Sequence, residues 1–226
     1  MHDTGGAAGG GDSRIPAAYT YFGQFVDHDV TLEANSASLP DLLDPDLAPL
    51  GRSQIRENIR NTRTAALELD SVYGPPAPRN GDRMEIGKVD ESGGRPPGKN
   101  DFNDLPREPR RRLPEHDRAA LTGDPRNDEN LVIAQLHVAF LRAHNRLVGQ
   151  GKTFGEARRT LRRHYQHIVL HDFLKKIADP QIVDETIQEN RVYDPRDERF
   201  FLPLEFSVAA YRFGHSMVRA RCTTST

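Results

Sequence analysis

The sequence predicts a mainly α fold with long irregular loops and little β structure. Apolar residues recur at helical spacing across its longest patterned stretches. The segments between them are dense in Pro, Gly and charge, and no internal repeat or glycine-rich phosphate-binding loop is present. With 226 residues the chain has room for one large domain, yet only 36% of them are hydrophobic, against 28% charged. The 18 glycines, 16 prolines and absence of Trp leave a thin core for this length.

The elements follow in order. Residues 1–14, MHDTGGAAGGGDSR, read as a flexible Gly-rich lead-in without the basic and apolar regions of a signal peptide. Pro16 suits the first turn of a helix running to about Val30, because its missing N–H would be unbonded there anyway. Residues 35–51, with Pro40, Pro45 and Pro49, read as a loop. Residues 60–74 alternate apolar and oxygen-bearing side chains before Tyr73-Gly74-Pro75-Pro76. Residues 79–118 form a long polar connection with room for a short hairpin. Helices are expected over about 128–149, with Leu131, Leu136, Phe140, Leu141 and Leu147 as its stripe, and over about 154–177, with Ala157, Leu161, Tyr165, Ile168 and Leu174. A short helix or turn over 182–190 and a last helix over about 204–218 complete the pattern.

Several positions carry chemistry. Gln24 and His28 lie four apart in YTYFGQFVDHDV, so one helix face presents an amide and an imidazole together. His28 between Asp27 and Asp29 reads equally as a proton-transfer group or as a solvated helix end. Thr64, Glu68 and Asp70 place three oxygens within seven residues, the spacing of a loop around a hard cation, or of an ordinary surface turn. His137 and His144 lie two turns apart, which fits core or surface histidines better than metal ligands. His164, His167 and His171 share a helix face, but Arg162 and Arg163 beside them favour a structural role. Ala209, Ala210, Phe213 and Gly214 make a small-residue and aromatic surface before His215.

The composition excludes some classes. A net charge of −2 gives no global reason to bind nucleic acid or a membrane surface, and no apolar run is long enough to span a bilayer. The single cysteine, Cys222, rules out an internal disulfide framework and a cysteine zinc site. Compartment and oligomeric state are not legible.

Four blocks in order, GQFVDHD at 23–29, LDSVYG at 69–74, GDPRNDENL at 123–131 with LRAHNRL at 141–147, and YRFGHSMV at 211–218, resemble the animal-type haem peroxidases of the peroxidase-cyclooxygenase superfamily. The resemblance implies a partial domain over 15–226, in a family whose members are often secreted. It also implies haem b as cofactor, hydrogen peroxide as oxidant, and a small organic donor or halide as the reducing substrate. His28 would be the distal acid-base, Gln24 the holder of a distal water or halide, Arg126 the stabilising cation and His215 the axial ligand of the haem iron. Asp27 and Glu129 match the positions that form ester links to haem in mammalian members. Asp29, Thr64, the carbonyl of Ala66, Glu68 and Asp70 would bind calcium, although aspartate is commoner than glutamate at position 68. Fatty-acid dioxygenases of the superfamily carry a tyrosine three residues before the axial histidine. Arg212 stands there instead, which favours a peroxidase over a dioxygenase. A third reading is a non-catalytic calcium-binding or interaction remnant. In the family a helical segment with an asparagine partner follows the axial histidine, whereas this chain stops eleven residues after His215; the expectation is a truncated domain, which accounts for the thin core.

Overall fold

The computed structural model describes residues 14–32, 53, 61–89, 102–108, 119–189, 202, 203, 206, 207 and 209–218. The expected lead-in up to residue 13, the loop over 35–51, most of the 90–118 connection and Cys222 lie outside these residues. Among the described residues, helix dominates and the only paired strands form one two-residue hairpin, as the sequence predicts.

Helix α1 spans Ala18–Val30, starting two residues after Pro16. Its second half, Phe25 to Val30, is wholly buried, including Asp27, His28 and Asp29. The short helix α2, Asp70–Tyr73, ends at Gly74. Strands β1 (Arg79–Asn80) and β2 (Arg83–Met84) pair antiparallel, with Gly81 at φ +60° taking the left-handed turn position that a side chain would resist.

A 3-10 turn at Pro125–Asp128 is capped by Asp124, and Pro125 occupies its first turn. Helix α3, Leu131–Gly149, then begins under a second cap, with the Asn130 side-chain oxygen Oδ1 accepting from Ile133 N–H at 3.0 Å. The expected single helix from 128 is thus two elements, because Asp124 and Asn130 each offer the backbone a cap. Helix α4, Phe154–Ile168, opens with a reciprocal capping box between Thr153 and Glu156. It runs through a π turn at Val169–Phe173 into α5, Leu174–Ile177. Helix α6 covers Pro180–Glu189. The last expected helix is corrected: Ala210–Met217 is a 3-10 element, tighter than an α-helix and with none of its residues buried. Side-chain bonds to α1 hold it instead of a buried apolar stripe.

The core lies where α1, α3 and α4 cross. Phe25 stacks on Phe140 with ring centres 4.9 Å apart and planes 4° from parallel, and Tyr165 meets both edge-on. Phe25 and Tyr165 are fully buried, and emptying such a site costs about 3–5 kcal/mol. Gly23 lets the π turn come close, since a Cβ there would sit 3.0 Å from the Phe173 ring. His144 is a core histidine, as expected from its spacing. Its Nε2 donates to the Asp82 carbonyl at 2.9 Å, which leaves Nδ1 to accept from the Tyr73 hydroxyl at 2.8 Å. His164, His167 and His171 are exposed, and no group of three or more His, Cys, Asp or Glu side chains is arranged for a metal ion among the described residues.

Candidate active site

The buried end of α1 brings Asp27 and His28 against the 3-10 turn at 125–128. His28 is 3% exposed, and its Nδ1 lies 2.8 Å from Asn127 Oδ1. Because a carboxamide oxygen only accepts, this nitrogen carries the ring proton and donates. Nε2 is then the nitrogen with a free lone pair. Burial pushes the His28 ring below its ordinary value, which keeps it neutral at pH 7; the bond to Asn127 acts in the opposite direction.

Arg126 is tied to the same place. Its Nη2 donates to the Thr31 carbonyl and, at 3.4 Å, to the His28 carbonyl, both at the C-terminal end of α1. Asp124 grips the guanidinium through Nε at 3.0 Å and Nη2 at 2.7 Å, and also receives Arg63 at 2.9 Å. Burial acts to raise the Asp124 carboxyl, but the hydrogen bonds from Arg126 and Arg63 outweigh it and hold the group below the usual carboxylate range. The result is a fixed cation beside a neutral imidazole.

Asp27 is 7% exposed and faces two guanidinium groups, Arg126 at 3.9 Å and Arg212 at 3.6 Å. Gln24 lies on the same side of α1, where its carbonyl oxygen accepts from Asn130 at 3.5 Å. Glu129 is exposed at the end of the 3-10 turn. His215 is exposed on the 210–217 element, which is bonded to α1 through Tyr211 to the Gly23 carbonyl at 2.9 Å and Thr20 to the Met217 carbonyl at 3.1 Å. Gln24, Asp27, His28 and Arg126 therefore converge, and His215 sits on a segment packed against the helix that carries His28.

This donor set fits haem in its chemistry. The His215 ring makes no hydrogen bond among the described residues and is free to donate a nitrogen, and the buried His28 keeps Nε2 outside its bond to Asn127.

Of the expected calcium residues, Thr64, Ala66, Glu68 and Asp70 lie on one stretch that Asp29 of α1 joins through backbone bonds, but among the described residues their carboxylates do not gather into a metal cluster and an arginine faces two of them. Asp29 accepts from Leu69 N–H at 3.1 Å and Ser71 N–H at 3.5 Å. The first of these bonds holds Leu69 at φ +57°, a left-handed conformation that leucine adopts only under constraint. Thr64 donates to Glu68 at 3.2 Å, and the Ala66 carbonyl accepts from Gln166 at 2.9 Å. Arg162 lies 3.5 Å from the Glu68 carboxylate and 3.9 Å from that of Asp70, and donates through Nε to the Glu68 carbonyl. A cation entering this loop has to displace that guanidinium.

Sequence reasoning missed Asn127, Asp124, Arg63, Arg162 and the contact between Asn127 and His137. Asn127 follows Arg126 directly, and His137 shares the buried face of α3 with Ile133, Val138 and Leu141. Neither signal separates a network from a core without the contact between α1 and α3.

A family model for animal haem peroxidase matches residues 44–225. That range contains Arg126, Glu129, the 64–70 loop and His215, and begins after α1. The chain is similar to a peroxidase-like protein of Margaritifera margaritifera, 32% identical over 128 residues and covering 47% of this chain. It is also similar to thyroid peroxidase of Canis lupus familiaris, 32% identical over 108 residues and covering 43% of this chain. Chorion peroxidase of Aedes aegypti is 33% identical over 112 residues, covering 42%. These matches span only 15%, 11% and 14% of the relatives' own lengths. With four-fifths of its length under that family model, the chain belongs to the animal haem peroxidase family.

Proposed function

We propose that this chain is the haem-holding part of a peroxidase that reduces hydrogen peroxide while oxidising a small organic donor or a halide. The observation that supports this most is His28: buried, neutral, with Nδ1 engaged by Asn127 and Nε2 left as a base, on a residue whose main-chain carbonyl Arg126 bonds. With peroxide in the site, His28 Nε2 would accept its proton and return it to the oxygen that departs as water. Arg126, already fixed by Asp124, stabilises the negative charge that grows on that oxygen and needs no reorganisation to do so. Gln24 holds the water or halide beside them.

His215 would hold the iron of a bound haem, and that group would supply the electrons for O–O cleavage. Asp27 and Glu129 are the carboxylates for ester links to its edge, Asp27 being the buried one. Calcium belongs to the same reading, held by Asp29, Thr64, the Ala66 carbonyl, Glu68 and Asp70 once Arg162 swings away.

The test is haem reconstitution of the full chain. A Soret band that is lost in His215→Ala, together with peroxide-dependent oxidation of a phenolic dye that is lost in His28→Ala, is the expected result. Failure to take up haem at any ratio overturns the reading. Formation of a lipid hydroperoxide from linoleate points to the dioxygenase branch instead.

A further inference from the structure

We infer that His137 is a positioning residue for His28, acting through the carboxamide of Asn127 to decide which nitrogen of the His28 ring carries the proton. The inference rests on the reading of His28 as the proton acceptor, and names what prepares it for that role.

Three side chains form one buried line. His28 Nδ1 lies 2.8 Å from Asn127 Oδ1, and Asn127 Nδ2 lies 2.9 Å from His137 Nδ1. Their exposures are 3%, 0% and 1%, so water does not compete for these groups. Asn127 is fixed at its backbone by a bond from its N–H to the Asp124 carbonyl at 3.1 Å, within the 3-10 turn.

The chemistry of the amide links the two rings. Its nitrogen only donates and its oxygen only accepts. With the nitrogen towards His137, that ring must offer a bare Nδ1 and carry its proton on Nε2. The oxygen then faces His28, which must carry its proton on Nδ1 and keep Nε2 bare. Turning the amide over reverses both rings, and His28 would present N–H where a base is needed. Burial pushes His137 down to about 4, so at neutral pH it stays uncharged and retains the lone pair that holds the amide in the productive sense. Without that acceptor the amide nitrogen would be buried and unbonded in this orientation, and nothing would oppose its rotation.

The two rings therefore carry opposite tautomers, and this can be read without haem. In the full chain labelled with 15N-histidine at pH 7.5, long-range proton–nitrogen correlation spectra are expected to show His28 protonated at Nδ1 and His137 at Nε2. If both rings carry the proton on Nε2, the inference is overturned with no variant needed. In His137→Leu the His28 tautomer ratio should shift toward Nε2–H by about five- to tenfold, the factor one net hydrogen bond supplies. His137→Gln, whose carbonyl oxygen also accepts from Asn127, should restore the Nδ1–H form. A His28 tautomer that stays fixed in folded His137→Leu overturns the inference. A chain that shows these tautomers yet takes up no haem overturns the proposed function and leaves the relay standing.

Discussion

The guanidinium of Arg212 lies 3.6 Å from the carboxylate of Asp27 and joins the 210–217 element to the buried half of α1. Three residues before His215, this arginine is the charge that aligns the segment of one histidine with the helix of the other. Asp27 also faces Arg126 at 3.9 Å, so one carboxylate answers two cations. Asp27→Asn should lower stability by about 1 kcal/mol, since Arg212 is well exposed. In the haem-loaded chain, haem should resist extraction into acidified organic solvent in Glu129→Gln, where Asp27 keeps its ester, and be extracted from the Asp27→Asn, Glu129→Gln double variant. Equal extraction from both would rule out an ester at this position.

His137 gives the chain an acid-sensitive core. Its folded value is about 4 against an ordinary 6.5, because burial disfavours the charged ring. A base with a depressed value contributes stability that is present above pH 6.5 and is lost as pH falls towards 4. The loss from pH 7 to pH 4.5 should be on the order of 2–3 kcal/mol from this residue. Urea unfolding of His137→Gln should show a shallower pH dependence over that window by this amount. Parallel curves for parent and variant would contradict the assignment.

Gly123 is where the loop carrying Asp124 and Arg126 touches α2. A Cβ there would lie 2.3 Å from the Asp70 carbonyl oxygen and 2.8 Å from the Gly74 nitrogen, both of them backbone atoms that cannot swing aside. Gly123→Ala should therefore cost about 2–3 kcal/mol. Gly149→Ala is the control, since nothing lies within 4 Å of its Cβ position; it should be neutral or stabilising by about 0.5–1 kcal/mol. Comparable thermal shifts in the two variants would refute the close approach.

Arg162 and calcium compete for the same oxygens. Removing the guanidinium from Glu68 and Asp70, as in Arg162→Gln, should cost the calcium-free chain about 1 kcal/mol or less, because the groups are partly exposed. The same change should tighten calcium binding about fivefold, measured by titration calorimetry. Weaker binding in Arg162→Gln would mean that the arginine helps shape the loop for calcium. No heat in either protein would remove calcium from the proposal.

By itself the sequence determined the helical class, the positions of α1, α3 and the α4 to α5 run, and the short hairpin, because apolar periodicity, prolines and capping residues act within a few positions of one another. Its motif blocks also singled out His28, Arg126 and His215 as candidate site residues. Only the tertiary structure decided how those residues are held. Whether His28 pairs with Asp27, Asp29 or neither depends on what lies across from α1, and the group there is Asn127, 99 residues away. Helix 128–149 became a capped turn and a shorter helix because Asp124 caps the turn at 125–128 and Asn130 caps the helix from Leu131. The 64–70 loop, legible as a row of oxygens, turned out to face Arg162 on α4, a pairing between elements that no local spacing encodes. Periodicity tells a side chain which face of its own element it occupies, whereas its charge state and its proton are set by the element packed against that face.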